Sequence, residues 1–177
     1  QFVSVLVMAL ISVSIYCGMS SVWTGMEESY TDYKEKTNLA DAYINGINIS
    51  GENISNIKKL SYVNQAEGSI FVKFNTRIDN EDSELYINSF TNSTKKLMNP
   101  LLRSGQPLKD DKEGIWIDED YAKIHNLKEG DKIVLELKGI KKKVKILGTV
   151  LDAENIYFVT SYAETVPDHK RHGYAYI

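Results

Sequence analysis

The stretch "DYAKIHNLKEGDKIVLEL", residues 120–137, reads as three folding devices in a row: a short helix, a tight turn and an alternating strand. Asp118 just upstream can cap the helix, and Glu119 and Asp120 sit favourably against the positive end of its dipole. His125 or Asn126 ends it, because Asn tolerates the left-handed conformation, and Leu127 can fold back onto the helix. Gly130 permits a positive φ in the turn, and Asp131 can tie that turn to backbone amides. Ile133, Leu135 and Leu137 then line one strand face in period two.

Downstream, Lys138-Gly139 makes a hairpin, and Val144, Ile146 and Val150 answer from the partner strand. Gly130, Asp131 and Gly139 are therefore structural turn residues. Lys141, Lys143 and Lys145 fall on the opposite face of the partner strand; the simpler reading is the wet side of an amphipathic strand, with polyanion binding as the alternative. "GIWID" upstream and "NIYFVTSY" and "GYAYI" downstream add strands. The segment "TKKLMNPLLRSGQPLKDDKEG", with Pro100, Gly105 and Pro107, is turn-rich and marks a boundary before this β-rich lobe.

Ahead of that boundary, "ADAYINGINIS" is rich in β-favouring residues, and Ser50 can cap a helix whose Ile54, Ile57 and Leu60 share a face. "SIFVKFNTRI" alternates as a half-buried strand, "DNEDSE" turns, and "LYINSF" returns. The order strand, helix, strand, strand predicts a partial ferredoxin-like βαββ lobe within an α+β chain.

From Gln1 to Met26 there is no ionisable group except Tyr16 and Cys17, and a membrane-spanning helix needs about 20 apolar residues. A signal peptide would bring a starting Met and a basic n-region, and a lipoprotein signal a very small residue before Cys17, where Tyr16 stands. A transmembrane helix of a longer chain is the expectation. A core helix of a soluble protein is the bland alternative, and it requires the rest of the chain to wrap an apolar rod. Trp23, Met26, Tyr30, Tyr33 and Thr37 recur at spacings of three and four, so the helix continues as an amphipathic stalk with Trp23 at the membrane interface.

The single cysteine excludes an intrachain disulfide and any zinc site with two thiolates. A net charge of −3 spread over short mixed runs presents no nucleic-acid-binding face. The sequons at Asn48, Asn53 and Asn92 follow from an Asn-rich composition. Phosphate-loop, dinucleotide, zinc and nucleophile-elbow signatures are all missing from the sequence. Asp168, His169 and His172 could hold a metal, but solvated surface explains them; Asp118, Glu119 and Asp120 could do acid/base work, but a helix start explains them. No cofactor and no catalytic residue are expected.

In this order after a membrane span, "LADAYINGINIS", the helix ending "LSYVNQAEG", "GIWIDEDYAKIHNLKEGDKIVLELKGIKKKVKILGTV" and "VPDHKRHGYAYI" resemble the extracytoplasmic domain of FtsX-like, MacB-type ABC transporter permeases. The resemblance covers nearly the whole chain. It implies a transmembrane helix at 1–26, a stalk at 27–38, a porter-like lobe at 39–94, a sabre-like β-rich lobe at 95–173 and a return strand at 174–177. It further implies a non-catalytic module in a bacterial cell membrane, extracytoplasmic after about residue 27. There it would couple ATP-driven helix movement, as mechanotransmission, to transport or to an outside partner. The implied partners are the remaining transmembrane helices, a separate cytoplasmic ABC ATPase, a second permease copy, the lipid bilayer, and an extracellular protein or a lipid or peptide substrate, with no nucleic acid. A competing reading is a small-barrel ligand- or nucleic-acid-binding module tethered to a membrane, since helix, "LKEGD" and hairpin also resemble double-psi and swapped-hairpin barrels. A tethered enzyme is a third.

Overall fold

The computed structural model describes residues 1–89, 97–108, 113–154, 159 and 165–177. The chain divides into two compact units, Gln1–Lys36 and Thr37–Ile177.

The first unit is helix α1, Phe2–Thr37, up to Lys36. It is long and apolar enough to cross a membrane, and none of its apolar window is buried. Some of its hydroxyls bond back within the helix: Ser12 Oγ donates to the Met8 carbonyl at 2.9 Å and Thr24 Oγ1 to the Ser20 carbonyl at 3.1 Å. In the charged half, Asp32 and Lys36 pair at 2.7 Å one turn apart.

The second unit is built on one closed sheet. Its strands are β1 (Ile70–Ile78), β2 (Glu81–Ser89), β3 (Leu101–Gly105), β4 (Ile115–Asp118), β5 (Lys132–Leu137), β6 (Ile140–Leu151) and β7 (His172–Tyr176); its helices are α2 (Gly51–Lys58) and α3 (Glu119–Ile124). The pairing runs β6-β4-β7-β2-β1-β5 and back to β6, a six-stranded barrel, with β3 added on β6. The β4–β6 and β2–β7 pairs are parallel and the rest antiparallel.

Alternation explains the interior. Leu85, Ile87, Ile115, Ile117, Ile133 and Ile146 point inward, with Tyr121 of α3 packed among them. On β4, β6 and β7 the outward residues are buried too: Trp116, Leu147, Val150, Tyr174 and Tyr176 form a second cluster. The Trp116 indole donates to the Gln106 carbonyl at 2.8 Å, so its polar edge is satisfied.

Several sequence readings correspond to observed elements. Ser50 caps α2 through a capping box with Asn53, Asp118 caps α3, and Asn126 takes the left-handed conformation. The Asp79-Asn80 and Lys138-Gly139 turns both have paired positive φ, which matches the twist of a two-residue hairpin.

The ferredoxin-like lobe requires correction. Strands β1 and β2 are antiparallel neighbours whose other edges pair with β5 and β7, so they belong to the same barrel as the "GIWID" to "GTV" region. Ring closure uses both edges of each, leaving no place beside β1 for a strand from 41–49, which has no regular structure. The division into lobes at 94/95 fails for the same reason. The stretch read as a boundary contains β3, and β7 begins at His172 and inserts between β4 and β2. The expected strand "NIYFVTSY" lies, apart from Val159, outside the described residues.

Two glycines fix the β3–β6 seam. A Cβ on Gly148 would collide with the Ser104 carbonyl oxygen, and one on Gly105, at φ 92°, with the Leu147 carbonyl oxygen. Gly148→Ala is therefore expected to destabilise the barrel although it adds only a methyl group. Gly130, at φ 95°, has open space around it, so its constraint is conformational alone. Gly130→Val should cost about 2 kcal/mol and Gly130→Asn clearly less, because Asn tolerates positive φ. Urea unfolding of the variants measures both, and equal losses for Val and Asn would refute the conformational account.

Candidate functional site

The Gly130-Asp131 turn is a closed hydrogen-bonded unit. Asp131 Oδ2 accepts from the Lys128 amide at 2.8 Å, and its carbonyl accepts from Ile146 N at 2.8 Å, while Gly130 N donates to the Ile146 carbonyl at 2.9 Å. These bonds extend the β5–β6 ladder by one step. Gly139 ends the same hairpin at φ 83°. On α1, Trp23, Met26 and Tyr30 are exposed and Tyr33 is half-buried.

The acidic run at α3 is divided by its surroundings. Glu119 pairs with Arg103 at 3.0 Å and with Lys123 at 3.2 Å. Burial pushes its carboxyl up, but those two partners outweigh it and leave it below the ordinary Glu value. Asp120 reaches Lys123 at 3.4 Å. Asp118 is different, because it is only 2% exposed.

Asp118 begins a chain of buried polar groups that joins β4, β6 and β7. Its Oδ2 accepts from the Tyr121 amide at 2.9 Å and lies 3.3 Å from His169 Nδ1. The Tyr174 hydroxyl interacts electrostatically with the Asp118 carboxylate and accepts from the Asp152 amide at 3.2 Å. Asp152, just past β6, takes a short hydrogen bond from the Tyr176 hydroxyl and another from Glu154 N at 3.1 Å. Burial, then the neighbouring carboxylates, push both phenols far above the ordinary tyrosine value, so at neutral pH they are fixed donors. Tyr121, bonded to Ser83 Oγ at 2.7 Å, is pushed up to about 12 by burial.

Two buried carboxylates and two tyrosines thus form a cross-brace. In the sequence, "GYAYI" places Tyr174 and Tyr176 two apart around a small Ala175, a pattern for one strand face carrying polar tips.

The proposed histidine cluster is dispersed. His169 turns to Asp118, whereas His172 Nδ1 lies 3.4 Å from Glu84 Oε2, in poor alignment for a hydrogen bond. Glu84 is engaged by Lys73 at 2.8 Å, which holds it below the ordinary Glu value. Asp168 caps its own turn by accepting from Lys170 N and Arg171 N. Among the described residues, no group of three or more His, Cys, Asp or Glu side chains could hold a metal ion.

A second junction lies where the helical segment ends. Thr37 is fully buried, and its carbonyl accepts from Asn99 N at 2.7 Å; the Asn38 carbonyl accepts from Met98 N at 3.0 Å. The Met98 sulfur, buried, accepts from Ala40 N at 3.0 Å and from the Tyr43 hydroxyl at 3.2 Å. Asn38 and Met98 both hold positive φ, so neither side of this clasp is relaxed extended chain.

No protein-family model matches the chain, and no curated protein matches it.

Burial raises the Asp118 carboxyl above the ordinary Asp value, with the Tyr121 amide bond only partly offsetting it. A carboxyl whose folded pKa is raised stabilises the fold most below its unfolded pKa, and that contribution is lost as pH rises through the folded pKa. Asp118→Asn keeps a capping acceptor. The variant should therefore gain on the wild type as pH rises from the acid range toward neutrality. Urea unfolding across that range measures the difference, and a difference independent of pH would refute it.

Proposed function

We propose that this chain is a membrane-anchored, non-catalytic module of an FtsX-like, MacB-type permease, lying outside a bacterial cell membrane after about residue 27. In this reading it relays movement of transmembrane helices, driven by a separate cytoplasmic ABC ATPase, to a substrate or partner outside. The observation that carries the proposal is the Thr37–Asn38 clasp. The last residue of a helix apolar enough to span a bilayer, Thr37, is buried, and its carbonyl is hydrogen-bonded within the second unit. The cross-braced β4–β6–β7 wall suits a body that transmits force rather than one that performs a chemical step.

The closed barrel favours a second reading. It is the form expected of a tethered small-barrel binding module, and it replaces the ferredoxin-like element that the permease resemblance implied. The two differ in what accompanies the chain.

With Cys17 replaced by Ser, single cysteines placed at Lys141 and Tyr62 should react with a membrane-impermeant maleimide in intact bacteria, and the chain should resist alkaline extraction from membranes. Protection of both positions would place the barrel inside and sink the topology. Copurification of an ABC ATPase whose turnover changes in a Met98→Ala variant is expected for the permease. Its absence from membranes that retain the chain would favour the tethered binding module. The same variant should lose about 2–5 kcal/mol of barrel stability, because it empties a buried site and strips two donors of their acceptor.

A further inference from the structure

The β5–β6 hairpin carries a charge pattern that folding does not need. Between residues 132 and 145 stand six lysines and one glutamate, in a chain whose net charge is −3. All six lysines are exposed, and the only ion pair they make among the described residues is Lys141 to Glu136 at 3.3 Å. Lys132 lies directly opposite Lys145 in the ladder, a like-charge cross-strand pair that costs stability. Lys132, Lys141, Lys143 and Lys145 share the outward face with Val134, which is 40% exposed. The tip adds Lys138 and Lys142 around Ile140, which is 75% exposed.

We propose that this hairpin docks on an anionic bilayer surface, its lysines lying against headgroups and Ile140 entering the interface. Charge complementarity selects an anionic partner, and the apolar tip ringed by lysines selects a lipid surface among such partners. A nucleic acid fits less well. Residues 132–145 contain no Arg for bidentate base or phosphate contacts and no aromatic ring for stacking, and an exposed Ile would gain nothing there. The proposal goes beyond the permease reading and does not depend on it, since it needs only the hairpin.

The test uses the full chain, kept soluble in a non-ionic amphipol, with Cys17→Ser and Ile140→Cys carrying an environment-sensitive fluorophore. It is titrated with phosphatidylcholine vesicles, with or without about 30% phosphatidylglycerol. Anionic vesicles should blue-shift the dye and expose it to a lipid-borne quencher, and high salt should reverse this. Combined Lys141→Glu, Lys143→Glu and Lys145→Glu should weaken the response at least about tenfold with an unchanged circular dichroism spectrum, and the matching Lys→Arg triple variant should retain it. No response to anionic vesicles, an equal response to neutral ones, or undiminished binding by the Glu variant would each overturn the proposal. A response to duplex DNA but not to vesicles would overturn it in favour of a polyanion site.

Discussion

Everything in the barrel depends on the length and path of β6. Its twelve residues pair first with β5, along Ile140–Lys145, and then with β4 and β3 from Ile146 onward. A shorter strand would have to choose between those neighbours, and the sheet would stay open with unpaired edges at β5 and β4. The change of partner comes at Ile146–Gly148, where β6 carries an extra residue, Leu147, against β4 and Gly148 admits the Ser104 carbonyl; the β3 ladder shifts register just beyond, at Arg103. The Gly130-Asp131 turn serves the same strand. Its amide and carbonyl bind Ile146 and hold β5 in register up to the point where β4 takes over.

Closure creates the second layer of constraint. Because β4 and β7 pair with each other and with β6 and β2, they are covered inside by the aliphatic core and outside by Trp116, Tyr174 and Tyr176. Burying both faces requires that the polar tips of the tyrosines find partners, and Asp118 and Asp152 meet that requirement. Asp152 in turn accepts from the Tyr176 phenol, and Asp118 from the Tyr121 amide. Such a wall resists deformation. It sets apart the β5–β6 hairpin, whose tip lies beyond the buried Ile133–Val144 pair and carries exposed Lys138 and Lys142.

Local devices were legible in the sequence because they are decided within a few residues. The Ser50 capping box, the Asp118 cap, the left-handed Asn126, the Gly130 turn and the Lys138-Gly139 hairpin each follow from the side chain and backbone freedom of the residues involved. The inward residues of β5 and the first half of β6 were legible too, since a period of two shows through a strand with one wet face; Val150, expected beside Val144 and Ile146, falls on the other face because β6 gains an extra residue at Leu147. What misled was the step from element order to topology. Strand, helix, strand, strand is compatible with a ferredoxin-like sandwich, and nothing local says that β1 also pairs with β5, some sixty residues on.

By itself the sequence determined an uncharged N-terminal helix, the turns and caps, and an α+β body of alternating strands. Those properties come from hydropathy, periodicity and the φ preferences of single residues. Only the tertiary structure decided that the strands close into one barrel, that β3 joins it, and that Asp118, Asp152, Tyr174 and Tyr176 meet in its wall. The reason is physical: strand pairing and burial of polar groups are settled between residues far apart in the chain, by which edges remain free and which charges must be satisfied once the core has formed.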